Sequence, residues 1–400
     1  MSDIRDPQAH PAAGPPRADD RPEPGVQTSV AARPGLSAAA GAAGAAGAAA
    51  GPVSVIMPVR NEERHLAESV ASVLGQDYPP GLELVLAVGP SRDRTRQIAD
   101  RLAAADPRIT VVDNPSGQIP SALNAAVRVS RHPIIVRIDG HALMPPGYIA
   151  TAVRSLDETG AVNVGGIMAA EGITDFQRAV AWAMTSPFGV GSARFHTGGG
   201  AGPADTVYLG AFRREAVEAV GGYDERYLRA EDWEMNHRIR QAGGLIWFTP
   251  ALRVTYRPRA SVAALGSQYF QYGRWRRVVA RQHAGTINLR YLAPPLTVGA
   301  IVAGTLAGLA GLIALGAGAA GLWPALLTIG FAAPLGYAAG VLAVSATAAG
   351  RLRGRALAFL PVVLGTMHIC WGTGFLTSPR RLVPSGVLAP PDRSASGRLS

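Results

Sequence analysis

The 400 residues carry a net charge of +10 from 38 basic and 28 acidic side chains, and none of the basic ones is a lysine. This excludes a phosphate-loop lysine and a Schiff-base lysine. The lone cysteine, Cys370, excludes a disulfide framework or a cysteine-rich metal site within one chain; lying in an apolar run, it reads as a small buried hydrophobe.

In chain order, residues 1–50 are rich in Pro, Ala and Gly, bury too little apolar surface to offset ordering entropy, and read as a disordered tail. Val53 to Met57 is a short apolar run ended by Pro58. Asn61 is placed to cap a helix with Glu62 and Glu63 in its first turn and Leu66, Val70, Val73 and Leu74 on its apolar face. Leu82 to Val88 reads as a strand, Thr95 to Ala105 as a helix and Ile109 to Val112 as a third strand. Ser121 to Val129 is a third helix and Ile134 to Ile138 a fourth strand. Buried runs alternating with amphipathic helices predict an α/β domain with a parallel sheet covered on both sides. Ligands bind beyond the carboxyl ends of such strands. The residues to search are therefore Arg60-Asn61-Glu62, Gly89 to Asp93, and Asp139-Gly140-His141.

The stretch from Gly160 to Tyr256 is less regular. Gly189 to Gly202 reads as a mobile loop, Glu231 to Gly243 as a helix, and Leu245 to Phe248 and Leu252 to Tyr256 as strands. Together, residues 51–260 form the expected catalytic domain. In 261–292, Leu265, Tyr269, Tyr272 and Trp275 form one helical stripe and Arg274, Arg277 and Arg281 another. That pattern suits an interfacial helix on a membrane, and equally a helix docked on the domain. Residues 293–378 hold three apolar segments, near 296–316, 323–345 and 356–378, each long enough to cross about 30 Å of hydrocarbon. Residues 379–400 read as a flexible tail. From Met235 to Pro391 there are fifteen arginines and no Asp or Glu. Such a basic block fits nucleic acid or a membrane surface; the interleaved apolar segments select the membrane and exclude nucleic acid as partner.

Two places carry candidate chemistry. Asp139 and His141 leave an apolar strand on either side of Gly140, and both side chains are competent ligands for Mg2+ or Mn2+; the alternative is that Asp139 merely begins a turn. Asp232 shares a helical stripe with Met235, Ile239 and Ala242 and should face inward. A carboxylate there is either a helix cap or a working base.

In this order the chain holds Pro58-Val59-Arg60-Asn61-Glu62, Asp139-x-His141, Gly221-Gly222-Tyr223-Asp224-Glu225 and Glu231-Asp232. This series resembles the family 2 inverting glycosyltransferases, with their Rossmann-like GT-A nucleotide-sugar domain, here followed by C-terminal transmembrane helices. Arg137 to His141, Asp205 to Gly210 and Gln268 to Gly273 resemble the succinoglycan-biosynthesis glucosyltransferase branch. The resemblance covers about 52–290. It implies that Asp139, helped by His141, holds a divalent metal, Mg2+ or Mn2+, on the donor diphosphate. It implies that Asp232 takes the proton from the acceptor hydroxyl. Pro58, Arg60, Glu62, Asp93, Asn124 and Asp139 would line the nucleotide-sugar pocket. Glu231 and the Gln-x-x-Arg-Trp residues Gln271, Arg274 and Trp275 would meet the acceptor. Where the family commonly has an acidic pair after the second strand, this chain has Val88 and Gly89. Backbone groups could pair with the donor base instead.

The resulting expectation is a multi-pass cell-membrane enzyme with a cytoplasmic catalytic domain. It moves a sugar from a nucleotide-sugar donor to a lipid-linked or glycan acceptor in exopolysaccharide or cell-envelope glycan synthesis. A catalytically silent scaffold of the same fold and a membrane carrier are the competing readings. The positive-inside rule places Arg351, Arg353 and Arg355 in the cytoplasm after two spans. The third segment carries Pro361, His368, Gly372 and Gly374, which suits either a full crossing or a re-entrant path.

Overall fold

The computed structural model describes residues 51–382. The expected tail at 1–50, and that after 379 from residue 383 onward, lie outside the described residues.

Four strands alternate with three helices at the start: β1 (Val53–Val59), α1 (Leu66–Leu74), β2 (Leu82–Val88), α2 (Thr95–Ala105), β3 (Ile109–Asp113), α3 (Ile119–Val129) and β4 (Ile134–Arg137). β1, β2 and β4 carry apolar runs and are almost wholly buried, as strands covered on both faces must be. Their parallel registers pair Val55 with Leu84 and Val136. Glu83, buried in β2, accepts from Ser54 Oγ at 2.7 Å and pairs with Arg131 at 2.8 Å, so its charge is compensated where it lies.

The parallel pattern stops at β4. The chain continues through α4 (Tyr148–Thr159), β5 (Asn163–Ala170), α5 (Asp175–Met184), β6 (Gly202–Pro203), β7 (Tyr208–Arg213), α6 (Arg214–Ala219), α7 (Glu231–Gln241) and β8 (Ile246–Tyr256). The single sheet runs β3-β2-β1-β4-β7-β5-β8-β6, with β7 antiparallel to both neighbours. The two strands expected at 245–256 are one strand, whose register against β5 shifts between Gly165 and Ile167. A Cβ at Gly166 would fall 1.8 Å from Leu252 O, so the bulge needs glycine there. Within the expected 189–202 loop lie short helical turns, Pro187–Val190 and Arg194–Thr197.

One local expectation fails. Asn61 does not cap α1, which begins at Leu66. Asn61 takes a left-handed conformation (φ 57°), and its Oδ1 accepts from Arg92 N at 2.8 Å. Its side chain therefore serves the neighbouring loop after β2 rather than the helix.

Beyond the sheet come α8 (Val262–Gln282), α9 (Leu289–Gly316), α10 (Trp323–Gly350) and α11 (Gly354–Leu376). The last three are long and apolar enough to cross a membrane. α9 and α10 pack closely at glycines: a Cβ on Gly304 would lie 2.3 Å from Gly330 O, and one on Gly308 2.6 Å from the Phe331 ring. α8 is docked: Leu265, Tyr269 and Trp275 are buried, while Tyr272 is exposed.

Candidate active site

A cavity of about 560 Å³ opens beyond the carboxyl ends of β1 and β4. One wall is Pro58 and Val59 at the end of β1 with Arg60 and Glu62 just after it, and a second runs from Asn114 to Ala122 in α3. Asp139, Gly140 and His141 form its floor after β4, and Leu228, Arg229, Gln271 and Trp275 close the far side. The loops are held by close backbone approach. A Cβ on Gly140 would meet Glu62 Cγ at 3.3 Å and Pro58 O at 3.5 Å. One on Gly89 would meet Gly117 Cα at 3.2 Å. Arg60 Nη1 donates to Gly117 O at 3.1 Å. The position where the family commonly has an acid is thus closed against another loop, and this wall presents backbone and amide groups.

Arg137, the last residue of β4, is buried and organises the acidic side of the site. Its guanidinium reaches Asp139 Oδ1 at 3.3 Å, Glu231 Oε1 at 3.5 Å and Asp232 Oδ1. Burial disfavours its charge, but Asp232, Asp139 and Glu231 hold it firmly protonated. Three carboxylates face one cation, and burial together with the neighbouring negative charge raises the proton affinity of Glu231 and Asp232. Glu231 is pushed up to about 7 by burial, then by Asp232, against the pull of Arg137. Asp232 is also raised, by burial first and by Asp139, again against Arg137.

Backbone geometry aims these groups. Among the described residues, Asn61, Leu209 and Ala230 are the non-glycines with positive φ. Asn61 lies between two residues of the cavity wall. Ala230 (φ 62°) stands between Arg229 of the wall and Glu231, at the start of α7. α7 itself is fastened at several points. Asn236 Nδ2 donates to Thr206 Oγ1 at 2.9 Å and its Oδ1 accepts from Asn163 at 2.8 Å. Arg238 clasps Glu234 at 2.7 Å and donates to Gly222 O at 2.8 Å. These bonds account for the sequence stretches around Thr206 and Gly222 as supports of the helix that carries Asp232.

Of the residues singled out in the sequence, Pro58, Arg60, Glu62, Asp139, His141, Gln271 and Trp275 meet in the cavity. Glu231 and Asp232 join it through Arg137. Asp93, Asn124 and Arg274 are not part of its wall. Asp93 accepts from Thr95 N at 3.0 Å and Glu63 N at 3.2 Å, tying α2 to the loop before α1. Asn124 accepts from Tyr223 N and donates to Tyr223 O, each at 2.8 Å. Arg274 lies over the Phe270 ring, 5.6 Å from its centre. Arg137 was legible only as part of a motif; its tell-tale was a charged residue closing an otherwise apolar strand.

Among the described residues no group of three or more His, Cys, Asp or Glu is arranged to hold a metal ion, so a cation here would rest on Asp139 and His141 with ligand oxygens completing its shell. Asp139 offers carboxylate oxygen beside surplus negative charge. His141 Nδ1 is bonded to Glu62 Oε1 at 2.8 Å, which fixes the ring and leaves Nε2 as the available ligand. The bond to Glu62 raises the His141 pKa against partial desolvation of the ring.

Comparison with known proteins identifies the family and the fold. Residues 54–221 match the family described as glycosyl transferase family 2. Over 325 residues the chain is 33% identical to the succinoglycan biosynthesis protein ExoA of Rhizobium meliloti (strain 1021), covering 80% of this chain and 93% of that one. It is 21% identical over 251 residues to a dolichyl N-acetyl-glucosaminyl phosphate diacetamido-dideoxy-glucuronosyltransferase of Methanococcus voltae, covering 60% and 77%. Among solved structures, a mannosyltransferase from Pyrobaculum calidifontis in complex with GDP-Man and Mn2+ has the same fold. It superposes with a TM-score of 0.51 at 20% identity over 86% of this chain and 98% of that one.

Proposed function

The chain belongs to glycosyl transferase family 2, and from that premise we propose that it catalyses inverting transfer of a sugar from a nucleotide donor to a lipid-linked or glycan acceptor at the cytoplasmic face of a membrane. It is a glycosyltransferase of exopolysaccharide or cell-envelope glycan synthesis with a GT-A domain and apolar C-terminal helices. The observation that carries the mechanism is the joining of Asp139 and Asp232 through one buried guanidinium at the edge of one cavity.

Arg60, Asn114, Gly117 and Gln118 form the donor end of the cavity, where the nucleoside would bind against backbone and amide groups. Gln271 and Trp275 form the acceptor end, on the helix next to the membrane segments. Asp232 accepts the proton of the acceptor hydroxyl as its oxygen bonds to the anomeric carbon from the side opposite the leaving diphosphate, which departs with the electron pair of the broken bond. Arg137 holds Asp232 in place, and the raised proton affinity of that carboxylate makes it a better base than an exposed aspartate. Asp139 and His141 would hold a divalent cation, which when bound stabilises negative charge on the leaving diphosphate. The Mn2+ named with the mannosyltransferase structure supports a divalent cation in this fold.

Membranes containing the protein should transfer radiolabel from one member of a nucleotide-sugar panel into lipid or polymer. An Asp232→Asn control should not. Absence of transfer and of donor hydrolysis with every donor would return the scaffold reading.

A further inference from the structure

We infer that α11, although long enough to span a bilayer, does not cross it. It lies along the membrane surface on the side of the catalytic domain, so the chain crosses only twice, through α9 and α10. This rests on the reading above of a membrane-bound enzyme.

Both ends of α11 are bound to the same folded domain. Near its start, the Phe359 ring meets Phe176 of α5 edge-on, with centres 5.6 Å apart. Leu360, Val363, Leu364 and Met367 are fully buried in a cluster shared with α5 and with Leu265 of α8. At its far end, Ser378 Oγ donates to Arg274 O of α8 at 2.9 Å. Arg281 donates to Ser378 O at 2.7 Å and to Pro379 O at 2.9 Å. In the middle, His368 Nε2 bonds Phe188 O at 2.7 Å. Two glycines bring backbones together: a Cβ on Gly374 would fall 2.1 Å from Phe270 O, and one on Gly273 1.9 Å from Trp371 O.

A helix of 23 residues is about 35 Å long. Crossing about 30 Å of hydrocarbon would leave its two ends in different aqueous compartments. The partner of the first end, α5, carries the exposed ion pair Arg178–Asp175 at 2.8 Å, so that end sits in water. The partner of the second end, α8, forms part of the cavity wall and therefore lies on the same side. A crossing would pull one of them through the bilayer.

The outer face of α11 suits a lipid surface. Val362 and Leu376 are half exposed, and exposed Phe188 continues the strip on the domain. α9 and α10 also expose leucines. Arg351, Arg353 and Arg355 stand at one end of α11 and Arg380 and Arg381 at the other, with no carboxylate from Met235 to Pro391 to repel anionic headgroups. In this arrangement all five arginines remain on one side, as the positive-inside rule requires.

The test uses the full-length protein in cells, with Cys370→Ala and single cysteines at three exposed sites: Ala320→Cys between α9 and α10, Arg353→Cys before α11, and Arg380→Cys after it. A membrane-impermeant maleimide should label position 320 from outside, and 353 and 380 only after permeabilisation. Labelling of 353 and 380 from opposite sides would overturn the proposal. Labelling of both from outside, with 320 protected, would keep α11 in the plane and instead overturn the cytoplasmic orientation of the enzyme.

Discussion

Buried Arg137 at the end of β4 and part-exposed Asp232 at the start of α7 form an ion pair, and the same guanidinium holds Asp139 at 3.3 Å. The carboxylates proposed to hold the metal and to take the proton are thus positioned by one residue. Its removal should be felt in stability as well as in catalysis. Arg137→Gln leaves three carboxylates without their cation; breaking a fully buried pair typically costs about 3–5 kcal/mol, and the partial exposure of Asp139 and Asp232 lowers the cost here. The thermal midpoint of the purified protein should drop clearly, and by less at acidic pH, where the orphaned carboxylates can protonate. An unchanged midpoint at neutral pH would mean that Arg137 does not hold them.

Asp232→Asn keeps the shape and removes the base. Transfer should fall about 10²–10⁴-fold, with the donor dissociation constant little changed. Asp232 does not itself form the cavity wall, so calorimetric titration of donor is the appropriate control. Near-normal turnover in the folded variant would exclude Asp232 as base.

The pH profile follows from the same cluster. A protonated carboxylate cannot accept a proton, and burial raises the proton affinity of both Glu231, up to about 7, and Asp232. The rate should therefore fall on the acid side at a pH above the limb expected for an exposed carboxylate. Glu231→Gln removes a negative neighbour, which favours ionisation of Asp232, so the acid limb should move to lower pH. A limb that stays in place in Glu231→Gln would show that the two carboxylates do not share their protons.

Much of this site was legible because strand ends announce themselves. A run such as Ile134 to Ile138 that stops at Asp139 marks both a strand and a position at the cavity, and the inward stripe through Met235 and Ile239 marked the face of Asp232. What sequence could not supply was the work of residues whose partners lie far along the chain. Asn124 meets Tyr223, and Asn163 meets Asn236, across the fold. Local spacing holds no trace of either contact. The same limit explains Asn61. It is a good capping residue by type, but Arg92 supplies a competing partner from another loop. It also hid the antiparallel β7, since strand direction depends on which neighbour a strand finds rather than on its own composition.

Metal binding can be tested apart from turnover. His141 is oriented by Glu62 at 2.8 Å, and such outer partners commonly change metal affinity by about 10–100-fold. Glu62→Ala should therefore weaken Mn2+ binding, measured by electron paramagnetic resonance of free Mn2+, by a factor in that range. Asp139→Ala should abolish it. The sign of the pH effect is also fixed. The bond to Glu62 raises the His141 pKa, so a proton on Nε2 competes with the cation, and Mn2+ affinity should strengthen as pH rises through neutrality. Transfer should stop in excess chelator and return on adding Mn2+ or Mg2+. Full activity in chelator, or equal Mn2+ affinity in the wild-type protein and Asp139→Ala, would remove the metal role from Asp139 and His141 and leave Arg137 as the main positive charge beside the leaving group.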